Sequence, residues 1–194
     1  MKKRSKVVLW ILGVIISILL VTIGGIYSYG NHLFNKIEKI EIDKSDVGIS
    51  DKVEEKLSQY SDNVKNIALF GIDAEDGGVG RSDSIIIATI DTTHKKLKLT
   101  SIMRDSYVTI EGHGDDKINH AYAFGGPQLA IKTLNENFDL NIDDFVAVNF
   151  TTLPKIIDML GGVTIDITSE EVSHIPGIDT AGTYTLTGEQ ALAY

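Results

Sequence analysis

The stretch IALFGIDAEDGGVGRSDSIIIATID, residues 67–91, decides the fold. Two apolar runs of strand length, 67–72 and 84–90, flank a loop rich in glycine and acid, and the second run is rich in β-branched residues. The pattern predicts neighbouring antiparallel strands. Asp73 then ends one strand, Asp83 begins the other, and both carboxylates lie at the same sheet edge with Arg81 between them. A plain hairpin needs no such charge pattern. One reading is a solvated turn, where Asp and Gly serve backbone geometry. The other is an oxygen site for a hard cation such as Mg²⁺, with Arg81 as a two-point clamp on phosphate oxygens. An EF-hand is excluded, because its glycine and closing glutamate are out of register.

Outward from this pair the chain keeps alternating. Residues 97–103 predict a third strand and 107–110 a fourth. Gly125-Gly126-Pro127 predicts a helix start, with proline in the first turn. Residues 128–138 follow, with Ala130, Ile131, Leu134 and Phe138 on one face, either ordinary core or the wall of an apolar channel. Residues 145–150 predict a strand. Thr151 or Thr152 caps the next helix, which Gly161-Gly162 ends. Residues 163–167 predict another strand, and a last helix begins at Leu186. The expected fold over residues 66–194 is α/β, a layered αβα domain with a mixed central sheet.

The N-terminus has a different composition. Residues 1–6, MKKRSK, form a basic tail, and residues 7–29 hold no Asp, Glu, Lys, Arg or His. About 20 apolar residues cross the roughly 30 Å hydrocarbon core as a helix. The basic tail predicts a cytoplasmic N-terminus, with Trp10, Tyr27 and Tyr29 at the interfaces. A cleaved signal peptide has a shorter apolar core and a small-residue cleavage site, which this stretch lacks. The expectation is one transmembrane anchor, single-pass type II in the cell membrane, with the domain outside the cell. Residues 30–65 read as a stalk or a segment leading into the domain.

The chain holds 18 Lys and Arg, four of them in the first six residues, against 27 Asp and Glu, all beyond residue 30. The outer part therefore carries a net charge of −13. Nonspecific nucleic-acid binding relies on basic patches, so nucleic acid is not an expected partner. With no cysteine, disulfide and thiolate chemistry are excluded.

Two further clusters carry chemistry. In Ser101-Ile102-Met103-Arg104-Asp105-Ser106 a strand ends in an Arg-Asp pair. It is either a surface ion pair of small energetic worth, or a second phosphate clamp at Arg104 with Asp105 as a base or orienting group. Lys117, Asn119 and His120 gather just before a helix start, itself a favourable anion site. A histidine here is either a hydrogen-bonded structural residue or a ligand.

Together, GRSDS, SIMRDSYV, DKINHAYAFGG, a Leu-Gly-Gly-Val turn and LTGEQALAY, in this order, resemble the LytR-CpsA-Psr family. The resemblance runs from about Asn66 to Tyr194. It implies a membrane-anchored, extracytoplasmic phosphotransferase of Gram-positive type. Such an enzyme moves a glycopolymer (teichoic acid, capsular or other anionic polysaccharide) from a polyprenyl-pyrophosphate carrier to peptidoglycan. By the same resemblance, Asp73 and Asp83 hold Mg²⁺, Arg81 and Arg104 bind the pyrophosphate and act in catalysis with Asp105, and Lys117 and Asn119 line the head-group side. A hydroxyl of the peptidoglycan muramic acid attacks the phosphorus nearer the glycopolymer, and polyprenyl phosphate leaves. Family members continue past the ALAY segment into a further arginine-bearing stretch, so the expectation is that residues 1–194 alone transfer poorly. The competing functions are a non-catalytic, membrane-tethered binder of lipid carrier or wall polymer, and a transcriptional attenuator.

Overall fold

The computed structural model describes residues 17, 20–25, 27–28, 39–58, 63–74 and 80–194. These divide into two compact units, residues 1–41 and 42–194. In the first, residues 20–25 are helical and Leu20, Val21 and Ile23 are exposed. Most of the predicted span 7–29, including Trp10 and Tyr29, lies outside the described residues. Among those described, no helix is long and apolar enough to cross a membrane.

The second unit is a mixed α/β domain. Strands β1 (Val64–Ile72), β2 (Ser82–Asp91) and β3 (Lys96–Ile102) run antiparallel to their neighbours, and β6 (Asp144–Asn149) adds parallel to β1. The order across the sheet is β3-β2-β1-β6. Period-two alternation places Ala68, Phe70, Ile85 and Ile87 on one face, all buried. Against them packs helix α2 (His120–Phe138) through Ala130, Ile131 and Leu134. Phe70 anchors this layer, with the Tyr122 ring edge-on at 5.3 Å and Phe145 at 6.4 Å. Each large apolar side chain so buried contributes about 1.5–3 kcal/mol. Phe138, expected on the same stripe, is instead exposed.

The segment from Ile42 joins this core. Val47 is buried, and helix α1 (Asp51–Ser58) buries Val53. Buried Asn135 of α2 ties the parts together: its Nδ2 donates to the carbonyls of Val47 (2.7 Å) and Ile142 (2.8 Å), and its Oδ1 accepts from Ile142 N–H. The sheet face opposite α2 leaves Leu97 at 66%, Leu99 at 60% and Val146 at 54% exposure. Among the described residues these side chains are left largely uncovered.

Between β3 and α2 lies a hairpin of β4 (Tyr107–Ile110) and β5 (Gly114–Lys117). Beyond β6 come α3 (Thr152–Met159), the antiparallel pair β7 (Val163–Ile167) and β8 (Gly182–Leu186), and α4 (Gly188–Ala193). A second small core of Ile167, Ile175, Ile178 and Leu186 holds this part. Thr187 and Gln190 form a reciprocal capping box at the start of α4.

Candidate active site

The C-terminal ends of β1, β3 and β6 share one sheet edge, and the predicted residues gather there. Asp73 follows β1 directly. Its backbone N–H donates to the Arg81 carbonyl at 3.0 Å, and Arg81 N–H donates back to Asp73 Oδ1, which closes the neck of the loop. The Arg81 Nε and Nη2 both donate to Asp73 Oδ2, at 3.0 and 2.7 Å. Residues 75–79 of the loop lie outside the described residues.

Asp83 owes its direction to a break in the ladder. Gly71 pairs with Ser84 but Ile72 pairs with Ser82, so Asp83 is the extra residue of a β-bulge. A bulge re-aims a side chain. The burial pattern records the slip: Ser82 is buried before it, whereas Ile85 and Ile87, in the other phase, are buried after it. Asp83 Oδ2 accepts from Arg104 Nη1 at 2.7 Å, and its Oδ1 accepts from Asn119 Nδ2 at 3.1 Å. Arg104 stands just past β3, and its Nε lies 3.7 Å from Asp105 Oδ2. Lys117 Nζ donates to Asp105 Oδ1 at 2.5 Å. The backbone fixes this meeting: Ile118 N–H donates to the Ser106 carbonyl (2.8 Å) and Asn119 N–H to the Arg104 carbonyl (3.3 Å).

The seven predicted residues thus fall into two contact sets, Asp73 with Arg81, and Asp83 with Arg104, Asn119, Asp105 and Lys117, brought side by side through the backbone of Ser82, whose N–H donates to the Asn119 carbonyl at 3.4 Å. The carboxylates of Asp73 and Asp83 are 17% and 29% exposed, whereas Arg81 and Arg104 are about half exposed, at 51% and 52%. Acids lie beneath and guanidiniums outside, so the arginines face solvent with donors left over. Burial pushes the Asp73 carboxyl up, but the Arg81 side chain and backbone hydrogen bonds outweigh it and hold the group below its ordinary value. The hydrogen bond from Lys117, with Arg104 nearby, likewise lowers Asp105. A carboxylate so stabilised is a poor proton acceptor at neutral pH, which favours Asp105 as an orienting group over a base.

Ser82 and Asn119 are buried, and among the described residues Ser82 Oγ and Asn119 Oδ1 have no hydrogen-bond partner. The sequence offered no sign of this for Ser82, because only the bulge turns it inward. Among the described residues no three His, Cys, Asp or Glu side chains gather closely enough to hold a metal ion. Mg²⁺, however, commonly uses one or two carboxylates and takes its other oxygens from water and substrate phosphate. Asp73, Asp83 and the unpartnered Asn119 oxygen suit that donor set. His120 sits aside: its Nδ1 lies 2.8 Å from Asp116 Oδ2, and its ring is near Phe124, whose other neighbour is the stacked His113 ring at 4.2 Å.

A model of the LytR_cpsA_psr family matches residues 29–194. The chain belongs to this family. The polyisoprenyl-teichoic acid–peptidoglycan teichoic acid transferase TagU of Oceanobacillus iheyensis is 36% identical over 100% of this chain and 62% of its own length. The regulatory protein MsrR of Staphylococcus aureus is 39% identical over 72% of this chain and 45% of its own length. Among solved structures, Bacillus subtilis TagT with bound octaprenyl pyrophosphate lipid superposes with a TM-score of 0.61 at 37% identity. The match covers 68% of this chain and 56% of that one. TagT bound to LI-WTA gives a TM-score of 0.62 at 37% identity, over 69% of this chain and 55% of that one. This chain therefore spans 62% of the length of the two TagU relatives it matches throughout.

Proposed function

We propose that this protein transfers a glycopolymer from a polyprenyl-pyrophosphate carrier to peptidoglycan. The observation that carries the reading is the pair of half-exposed guanidiniums, each backed by a carboxylate, at one sheet edge. Its relatives point the same way: one is a teichoic acid transferase, and another was solved with octaprenyl pyrophosphate.

The chemistry follows from charge. A peptidoglycan hydroxyl attacks the phosphorus joined to the glycopolymer; the new P–O bond forms as the bridging P–O bond breaks, the electron pair leaves with polyprenyl phosphate, and the hydroxyl proton passes to solvent. Arg104 keeps N–H groups beyond its contact with Asp83, and Arg81 keeps its Nη1, so both can hold phosphate oxygens while still braced. Bracing matters because electrostatic stabilisation acts best through donors that need no reorganisation. Asp105 holds Lys117 beside Arg104 and adds a third cation to that rim. Asp73 and Asp83, with Asn119, would hold Mg²⁺, which when bound neutralises charge on the pyrophosphate. The basic tail and the apolar stretch 7–29 support a single-pass anchor with the domain outside, close to a lipid-linked donor.

The test assays transfer of a lipid-linked glycopolymer to peptidoglycan by the membrane-embedded protein. Arg104→Lys is expected to cut the rate by about 10²–10³, the cost of losing one preorganised donor, because a point charge does not replace the planar fork. Chelation of divalent cations is expected to stop transfer and to weaken pyrophosphate binding. Equal rates for wild type and Arg104→Lys would refute the clamp. Protection of the domain from protease added to intact protoplasts would refute the orientation. The name of the Staphylococcus relative favours a second reading, gene regulation. Specific DNA binding by the purified protein would support it, against the repulsion expected from the −13 charge of the outer part.

A further inference from the structure

Beside the arginine–carboxylate cluster, the β4–β5 hairpin pairs Tyr107 with Lys117, Val108 with Asp116, Thr109 with Asp115 and Ile110 with Gly114. Ile110 is fully buried and Val108 packs against the core. By alternation, Tyr107, Thr109, Asp115 and Lys117 share the outward face. Tyr107 is 75% exposed. Among the described residues its ring stacks on no other ring and its hydroxyl has no hydrogen-bond partner. Directly opposite residues on antiparallel strands bring their Cβ atoms within about 4.5–5.5 Å, so the ring stands beside the Lys117 stem. Lys117 reaches Asp105 at 2.5 Å, and Asp105 lies 3.7 Å from Arg104. The bare ring is thus joined to the phosphate clamp through adjacent side chains.

We propose that Tyr107 is the stacking platform of a pyranose subsite next to the clamp, with Asp105 and Lys117 taking hydroxyls of the same sugar. This deepens the transfer reading and rests on it. A pyranose has an apolar C–H face and a rim of hydroxyls. It asks for a flat apolar surface flanked by a carboxylate acceptor and a cationic donor, the arrangement found here. The hydroxyl–carboxylate pair of Thr109 and Asp115, 2.7 Å apart, continues the same face. Two carboxylates against one ammonium make this face unsuited to a further phosphate, and its charges make it unsuited to an alkyl chain. The sugar belongs either to the first residue of the donor or to the peptidoglycan acceptor.

Calorimetric titrations with three ligands decide the matter: undecaprenyl pyrophosphate without sugar, the same carrier with its first sugar, and a soluble peptidoglycan disaccharide. Tyr107→Ala, Tyr107→Phe and wild type are compared. The residue is exposed, so thermal unfolding is expected to be unchanged in both variants. Tyr107→Ala is expected to weaken one of the two sugar-bearing ligands about 3- to 10-fold, the scale of one aromatic contact, and to leave the bare pyrophosphate unaffected. Tyr107→Phe keeps the ring face and retains most of the affinity. Loss on the glycosylated carrier assigns the donor sugar, and loss on the disaccharide assigns the acceptor. If Tyr107→Ala leaves both unchanged, or weakens the bare pyrophosphate as much, the subsite is overturned. If wild type binds the disaccharide through Tyr107 but not the bare pyrophosphate, the subsite stands and the transfer reading falls. If wild type binds none of the three, both fall.

Discussion

At the scale of the residue, the site is a set of charges each defined by its neighbour. Asp105 shows how this couples to pH. Lys117 and Arg104 lower its carboxyl in the folded protein, so folding favours the ionised form. A group whose folded value is depressed contributes stability above its unfolded value, about 3.9 for Asp, and loses it as pH falls through the folded value. Asp105→Asn is therefore expected to be less stable than wild type at pH 7, modestly, because both partners are about half exposed. The gap should close as the pH drops below the ordinary carboxylate range. Denaturant unfolding of both proteins across that range checks it, and a gap that persists in acid would mean that the carboxylate charge is not the cause. Asp73, Arg104 and Asp105 were legible in the sequence because they follow strand ends. Ser82 and the unpartnered oxygen of Asn119 were not, since their burial depends on a bulge and on a distant turn.

At the scale of the element, the decisive device is the break inside α2. The glycine pair and proline place a helix start at Gly125-Gly126-Pro127, and Pro127 does open the long, core-packed part. The helix nonetheless begins earlier, at His120, and is interrupted at Gly125 and Gly126. The first turn keeps Asn119 against Asp83, and the second part lies on the sheet. Gly126 sits at φ 62°, ψ −156°, a conformation for which side-chain-bearing residues are strained, although a Cβ there would meet nothing within 4 Å. Gly126→Ala is thus expected to cost about 1–3 kcal/mol through the backbone alone. It should also weaken pyrophosphate binding by shifting Asn119. Urea unfolding with a pyrophosphate titration reads both, and an unchanged midpoint would refute the strain. The strands of the central sheet were legible from apolar runs bounded by polar turns. β5 was hidden because its sequence, GDDK, holds no apolar residue and pairs only because β4 lies beside it. β8 was hidden because GTYTL reads equally as loop until Leu186 meets the second core.

At the scale of the whole molecule, one face of the sheet carries the stability and the other carries a liability. The register aligns Leu97 with Ile90, Leu99 with Ala88 and Leu69 with Val146, so these side chains share the face opposite α2. Leu97 and Leu99 also lie on β3, an edge strand of the sheet. Exposed apolar area on an unpaired edge favours association. Lys96 and Lys98 alternate with the two leucines and supply the usual electrostatic defence of an edge. The two effects can be separated. A Leu97→Thr, Leu99→Thr double variant introduces β-branched strand formers while removing apolar area from solvent. Because both leucines are mostly exposed, the unfolding midpoint should move by no more than about 0.5 kcal/mol per site. Concentration-dependent association and dye binding to apolar surface should both fall. Lys98→Val should do the reverse, raising association at unchanged stability. Light scattering against concentration, beside denaturant unfolding, gives both readings. A loss of several kcal/mol in the double variant would show that the leucines are packed in solution, and the face would then be part of the core rather than a surface held apart by two lysines.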